Sequence, residues 1–498
     1  VQYGFVLDER KCIGCHACTV ACKAENQVAL GVFRTWVKYV EKGRFPDVRR
    51  HFQVTRCNHC ENAPCVKICP TTALFRRENG IVDFDNARCI GCKGCMEACP
   101  YDALYLDPET NTAAKCHYCA HKVEVGLEPA CVTVCPTRAI IPGDLDDPDS
   151  EIGRLKRSER VLTRKPERGT RPQVFYVGAD QDVLHLDPER AAGGLLFAEQ
   201  ALDDYDLRAS SAASGNGRRP QAAELIREVY DVRHPAPWGL RVGAYLWTKS
   251  VSAGAGLLGA VALLAGLEGG ASWTVGAPIL ALAFLGITLA LLVFDLKRPE
   301  RFYYLFTKGN LGSWLVLGGW ILTFYGAALA AWLLLGARAP AALLVAAAAL
   351  GIGSAIYSAA LFRQAVGRPF WRDPLLAPHL FFQALLAGAA GLLVFDAPGG
   401  PFLHGALALG VAGHGLLSLL AVLLRGHDAE VRAAQAFYRR APARETFWGG
   451  AIALGVVLPL LFLWIGGGFA WSASYLALVG LWLYEALWVR AGQAAPLS

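Results

Sequence analysis

The sequence predicts a two-part chain, an α+β head followed by an all-α membrane bundle of eight transmembrane helices. Three observations predict it. All sixteen cysteines of the 498 residues lie in the first 135. The first 240 residues mix charged and apolar side chains, whereas the remainder is dominated by Leu, Ala and Gly. That remainder holds apolar runs near the roughly 20 residues a helix needs to cross hydrocarbon. A chain of this length exceeds one core. The expected boundaries are a head over 1–190, a linker over 191–237 and a membrane domain over 238–498. The formal charge of +6 is modest, and no basic run interleaved with aromatics points to nucleic acid.

The head is organised by four cysteine quartets: Cys12, Cys15, Cys18, Cys22; Cys57, Cys60, Cys65, Cys69; Cys89, Cys92, Cys95, Cys99; and Cys116, Cys119, Cys131, Cys135. The first and third have the spacing C-x2-C-x2-C-x3-C, the run that holds cubane 4Fe-4S clusters in bacterial ferredoxins. The second widens the middle gap to four residues and the fourth to eleven. At four thiolates per cubane, the expectation is a ferredoxin-like head with four cubane sites. Zinc ribbons also use C-x-x-C pairs, but as two pairs across a longer spacer. Disulfides between residues two or three apart are hard to form.

A base directly precedes each quartet: Lys11, Arg56, Arg88 and Lys115. A nearby cation favours the more negative, reduced state of an anionic cluster. The competing view is a solvated surface charge. Three quartets close in Cys-Pro, at Pro70, Pro100 and Pro136, which turns the chain after the last ligand. Between the quartets, Gly31 to Val54 and Gly80 to Asp85 read as short strands and loops. Leu162 to Pro188, with its apolar Val174-Phe175-Tyr176-Val177, reads as a strand closing the head. Ala209 to Pro220, ASSAASGNGRRP, reads as flexible linker between two fused subunits.

The segments CIGCHACTVACK, CNHCENAPCVKICP, CIGCKGCMEACPYDA and CHYCAHKV…CVTVCP resemble the four-cluster electron-transfer subunits of molybdopterin oxidoreductases, the dimethyl-sulfoxide and polysulfide reductase type. The resemblance covers residues 3 to about 190. It implies that quartets exchange their fourth ligand. The clusters would be held by Cys12, Cys15, Cys18 with Cys135; by Cys116, Cys119, Cys131 with Cys22; by Cys57, Cys60, Cys65 with Cys99; and by Cys89, Cys92, Cys95 with Cys69.

Eight apolar segments follow, at roughly 243–267, 274–294, 312–335, 341–362, 376–396, 402–424, 447–466 and 469–489. An even number puts both ends of the bundle on one side. The loops on that side carry Lys297, Arg298, Arg301, Lys308, Arg363, Arg368, Arg372, Arg425, Arg432, Arg439, Arg440 and Arg444, against only Arg338 opposite. The positive-inside rule then puts the head on the cytoplasmic side of the inner membrane. Val1 to Arg10 lacks the basic start and apolar core of a secretory signal, although an exported partner could carry the head across.

The body resembles the NrfD/PsrC type of quinone-reactive membrane subunit, through its eight spans, Asp295-Leu296-Lys297-Arg298-Pro299-Glu300-Arg301-Phe302 after the second, and the ending Val489-Arg490-Ala491-Gly492-Gln493. The resemblance implies electron transfer from a cubane directly to quinone or quinol, menaquinone or ubiquinone, without haem. No pair of facing histidines at haem-like spacing stands out.

Quinone chemistry needs an apolar slot, partners for two carbonyls and a proton path. Ionisable groups within spans are costly and become the candidates. These are Lys249 and Ser250 in the first span, Asp295 and Arg298 after the second, His379 and Gln383 in the fifth, and Glu485 in the last. Each has a structural alternative: Lys249 snorkelling, Asp295 capping its helix against Arg298 or Arg301, and His379 packing between helices. His404 and His414 read as packing residues, and Trp314, Trp320 and Trp471 as an interfacial belt. Ala253-Gly254-Ala255-Gly256 and Ala387-Gly388-Ala389-Ala390-Gly391 permit close helix approach. Asp428 to Tyr438 reads as an amphipathic surface helix that supports the head or lies on the bilayer.

The expected function is that of an electron-transfer and quinone-reactive membrane subunit. It joins a separate catalytic subunit, of the molybdopterin type, to the quinone pool through four 4Fe-4S clusters. No pterin, nucleotide or nucleophile motif is visible, so the substrate half-reaction belongs to another chain. The alternatives keep this wire but serve a hydrogenase, a multihaem cytochrome or a larger quinol-oxidising complex, with ion translocation as a further possibility.

Overall fold

The structure, a computed structural model, describes residues 1–44, 46–185, 226–395, 400–424 and 426–497. The linker expected at Ala209 to Pro220, and Arg425, lie outside the described residues. The head strands are β1 (Tyr3–Asp8), β2 (Thr35–Arg44), β3 (Asp47–Arg56), β4 (Leu74–Arg76), β5 (Val82–Phe84), β6 (Leu104–Leu106), β7 (Ala113–Lys115), β8 (Ile140–Asp144), β9 (Val161–Leu162), β10 (Val174–Val177) and β11 (Ile226–Tyr230).

β1 is buried from Gly4 to Asp8, as suits a strand paired on both edges and covered on both faces. It lies parallel to β10 and antiparallel to β8, in the order β8-β1-β10-β9. The apolar run at Val174 thus closes the head by pairing with its first strand. A long hairpin of β2 and β3 takes β11 on its free edge. This corrects the linker reading at its C-terminal end: Ile226–Tyr230 is part of a head sheet. Two small hairpins, β4-β5 and β6-β7, stand between the cysteine loops.

Among the described residues, seven short helices complete the head: α1 (Ala17–Asn26), α2 (Pro64–Ile68), α3 (Gly94–Ala98), α4 (Ala120–Val123), α5 (Ala130–Thr133), α6 (Glu151–Ser158) and α7 (Gln181–Leu184). The first five each begin within or beside a cysteine run.

Among the described residues, eight helices are long and apolar enough to span a membrane: α8 (Leu240–Leu264), α9 (Ser272–Asp295), α10 (Trp314–Arg338), α11 (Ala341–Arg363), α12 (Leu376–Val394), α13 (Gly400–Leu423), then, after the short α14 (Ala429–Phe437), α15 (Ala443–Ile465) and α16 (Phe469–Gly492). α8 is the central one, with 83% of its apolar window buried, against 28% for α10. Helices in lipid gain nothing from apolar transfer, so close van der Waals contact must hold them. The small residues supply it. A Cβ on Gly254 would collide with the Ala384 carbonyl oxygen, and one on Gly388 with the backbone of Gly254. α8 and α12 therefore cross backbone to backbone. Gly455 and Gly480 do the same for α15 and α16.

Candidate functional site

Each quartet is shaped by a reversal between its first two cysteines. The residue before the second cysteine is left-handed in all four: Gly14, His59, Gly91 and Tyr118, with φ of 70°, 42°, 69° and 64°. This turns two sulfurs of a C-x-x-C toward one cavity, a conformation that costs least at glycine. Gly91 is also held by close approach, since a Cβ there would meet Lys297 of the membrane domain at 2.6 Å.

The sulfurs gather into four groups. Cys12, Cys15, Cys18 and Cys135 line an outer cavity. A second is lined by Cys22, Cys116, Cys119 and Cys131. Cys57, Cys60, Cys65 and Cys99 are mutual electrostatic neighbours and form a third site. Cys69, Cys89, Cys92 and Cys95 line an inner cavity. This is the exchange of fourth cysteines implied by the resemblance. The sulfurs wall cavities instead of meeting at a point: no group of three or more Cys, His, Asp or Glu among the described residues could hold a single metal ion.

The sites form a line. Cys18 of the outer site is a neighbour of Cys131, Cys116 of the second is a neighbour of Cys57, and Cys65 of the third is a neighbour of Cys69. Burial pushes the Cys18 thiol up to about 11 and also raises Cys57; Arg56 opposes the first shift and Lys115 the second. Among the described residues, Arg56 Nε and Nη2, His59 Nε2 and Asn58 Nδ2 are buried donors without partners, on the residues that flank Cys57. A buried donor left unpaired is costly, and an anionic cluster ligated by four thiolates would satisfy it. The cavities, the sulfur count and these donors fit cubane 4Fe-4S clusters. The four preceding bases divide accordingly. Arg56 and Lys115 are 1% and 0% exposed, whereas Lys11 is exposed and paired with Asp8, and Arg88 is half-buried.

The inner site rests on the bundle. Lys297 and Arg298 donate their backbone N–H groups to the Gly91 and Ile90 carbonyls, and Arg301 Nη1 donates to the Cys89 carbonyl at 2.9 Å. Asn310 Nδ2 donates to the Cys69 carbonyl, and Trp238 Nε1 to that of Cys92. Arg368 Nε pairs with Glu97 at 2.6 Å, fully inside the junction. α14 supports the head, with Glu430 accepting from Arg168 and pairing with Lys165. Near the inner site, a cavity lined by Lys93, Met96, Tyr105, His234 and Lys297 opens between head and bundle.

The predicted membrane residues separate into two sets. Asp295 pairs with Lys93 at 2.8 Å, not with Arg298 or Arg301. Arg298 donates through Nε to the Thr110 carbonyl, and Ser250 Oγ to the Leu246 carbonyl of its own helix. The other four belong to a buried polar band. Lys249 does not snorkel: it is fully buried, donates to Ser358 Oγ at 2.6 Å and to the Ala355 carbonyl, and lies over the Tyr357 ring. Glu485 is its electrostatic neighbour. His379 Nε2 shares a 2.9 Å hydrogen bond with His414 Nδ1, and both rings pack against Tyr484. This facing histidine pair does not stand out in the sequence, because its members lie 35 positions apart on different helices. Gln383 Oε1, His414 Nε2, Glu485 Oε1 and the Tyr438 hydroxyl are buried without a partner among the described residues.

Tyr245, Tyr357, Ser358, Ser418 and Tyr484 join the band without having been candidates in the sequence. Tyr245 carries a usable signal, since it lies four positions before Lys249 on one helix face. It is an electrostatic neighbour of Tyr357, Asp295 and Glu485, and so joins the docking pair to the polar band.

Comparison with known proteins agrees with this division. Residues 48–145 match the 4Fe-4S dicluster domain and residues 10–25 a 4Fe-4S binding domain. The head is 48% identical over 183 residues to the B-subunit of tetrathionate reductase from Salmonella typhimurium, covering 36% of this chain and 73% of the relative. It is 44% identical over 179 residues to the B component of polysulfide reductase from Wolinella succinogenes, covering 35% and 94%. It is 35% identical over 225 residues to the arsenate respiratory reductase iron-sulfur subunit ArrB of a Shewanella species, covering 36% and 96%. Residues 228–496, more than half of the chain, match the family described as polysulphide reductase, NrfD. The chain therefore belongs to the NrfD family of multi-pass membrane proteins, with a 4Fe-4S dicluster head of the polysulfide and tetrathionate reductase B-subunit type joined to it in one polypeptide.

Proposed function

We propose that this chain is the electron-transfer and quinone-reactive membrane subunit of a multisubunit, molybdopterin-dependent respiratory oxidoreductase. Electrons pass between the quinone pool and a separate catalytic subunit through the four sulfur sites. The observation that carries this is the direct seating of the inner site on the bundle, where Tyr245 joins the Lys93–Asp295 docking pair to the buried polar band. When bound, 4Fe-4S clusters supply one-electron carriers; the protein holds them in line and sets their surroundings. The names of the relatives, which are subunits of tetrathionate, polysulfide and arsenate reductases, support an oxidised inorganic species as the partner's acceptor.

The quinone carbonyls are assigned to Lys249, His379, Gln383 and Glu485, whose band retains unpaired polar atoms in an apolar surround. Asp295 and Arg298 are assigned to docking the head, and Ser250 to its own helix. The catalytic subunit is assigned to the outer end, where Cys15 is exposed and Ile13 and Val20 are 57% and 65% exposed.

The head is proposed to lie in the cytoplasm. Arg298, Arg301 and Arg368 bind the head and so have a second reason to be on its side. Lys308, Arg363, Arg372, Arg439, Arg440 and Arg444 have no hydrogen bond or ion pair to the head among the described residues, and they keep the charge bias. A second reading, quinol oxidation coupled to ion movement, is favoured by the His379–His414 pair, which carries the polar band onto a further helix.

Membranes containing the complex test this directly. Quinol should reduce the clusters, and molybdenum and a large subunit should co-purify. Clusters reducible by dithionite but inert to every quinol would end the proposal. Protease should cut the head in inside-out vesicles, and protection there would reverse the topology.

A further inference from the structure

The two quartet-preceding bases that are fully buried, Arg56 and Lys115, do not serve the four sites equally. Arg56 stands between the outer and second sites: Nη1 donates to Cys131 Sγ at 3.2 Å, and its charge acts on Cys18, Cys22 and Cys116 as well. Its guanidinium also covers the Phe5 ring at 4.5 Å. Lys115 stands between the second and third sites. Its Nζ donates to the Cys116 and Val82 carbonyls, and its charge acts on Cys57 and Cys65. The second site is therefore flanked by both.

Carboxylates offset the cations elsewhere. At the inner site, Lys93 is paired with Asp295, and Arg301, which acts on Cys89, lies 4.0 Å from the Glu300 carboxylate. At the third, Asp102, itself paired with His234 Nδ1 at 3.0 Å, acts on Cys99. At the outer, Glu9 acts on Cys12, and the site borders solvent through Cys15. The second site has no such carboxylate among the strongest influences on Cys22, Cys119 or Cys131. It gains instead the Asn26 amide, which lies 3.7 Å from Cys22 Sγ and 3.8 Å from Cys119 Sγ.

Adding an electron to a cubane held by four thiolates adds negative charge, which a desolvated cation stabilises far more than an exposed one. We infer that Arg56 and Lys115 are the potential-setting residues of the head and make the site of Cys22, Cys116, Cys119 and Cys131 the highest in potential of the four. They are positioning residues, acting on the clusters through charge and hydrogen bonds. Electrons then collect one step behind the outer site, where a partner performing two-electron chemistry draws on them.

The inference rests on the cluster assignment above, and its test separates the two. The full chain is titrated with dithionite and mediators under electron paramagnetic resonance, with iron counted in each sample. In Arg56→Gln and in Lys115→Gln the highest of the four midpoints should fall, with its reduction equilibrium weakened at least tenfold, about 59 mV for one electron. The lowest should hold still, and Arg56→Lys should retain most of the wild-type value. A highest midpoint unmoved in both Gln variants at full iron content overturns the inference. Loss of iron from all three variants would assign the cations to cluster retention and overturn it equally. Wild-type protein without about sixteen iron atoms would instead overturn the cluster assignment.

Discussion

The head and the bundle both bury charge, and they leave different atoms unpaired. In the head, the orphaned atoms on the residues flanking Cys57 are mainly donors among the described residues: Arg56 Nε and Nη2, His59 Nε2 and Asn58 Nδ2. In the bundle they include acceptor or proton-exchanging groups, on Gln383, Glu485, His414 and Tyr438. An unpaired buried polar group is paid for in stability, so each set points to what completes it. Donors call for an anion, as a thiolate-ligated cluster is. Carboxyl, imidazole and phenol groups in a lipid-embedded band call for a ligand that exchanges protons.

The largest test of this contrast removes a sulfur. Cys92→Ala at the inner site should lower iron from about sixteen to about twelve atoms per chain and disconnect quinol from the remaining clusters. Unchanged quinol-linked reduction would mean that the line of sites does not end there. Next comes the junction. Arg368→Ala leaves Glu97 buried and alone, and breaking such a pair costs roughly 3–5 kcal/mol. Head proteolysis in membranes should rise steeply, and resistance equal to wild type would show that docking does not depend on the pair.

Within the bundle, His379→Phe and Glu485→Gln should each slow quinol-linked reduction at least tenfold, about 1.4 kcal/mol, while dithionite still reduces every cluster. Equal turnover would return both residues to packing. Gly254→Ala probes the bundle without removing any side chain of the polar band. Its methyl has no room against Ala384, and overpacking of this kind costs about 1–3 kcal/mol, read as a lower melting temperature in detergent. The smallest effect is expected for Ser250→Ala. Its hydroxyl is already satisfied by its own helix, so stability should stay within about 0.5 kcal/mol and quinone turnover should be unchanged. A clear loss of turnover there would put Ser250 back among the quinone contacts.

Much of the molecule is legible in the sequence because its signals are local. Cysteine spacing is a property of short loops, and hydrophobic length is a property of single helices. Four quartets, a ferredoxin-like head and eight spans follow from those two. The strand at Val174 is equally visible as an apolar run, although its parallel partner β1 lies at the other end of the head. The strand at Ile226 is not, because the Ser- and Gly-rich composition before it gives no strand signal and its five residues pair with β2, almost two hundred positions earlier.

Packing alone assigns each charge its partner. In sequence, Asp295 has Arg298 and Arg301 nearby, yet it pairs with Lys93, some two hundred positions away. Four bases precede four quartets identically, yet only Arg56 and Lys115 are enclosed. His379 and His414 are ordinary residues alone and hydrogen-bonded when α12 and α13 pack. Cofactor type, head and number of spans are written in spacing and hydrophobic length, which need no partner to be read. Charge acts through distance and burial, and both are set only when the chain packs.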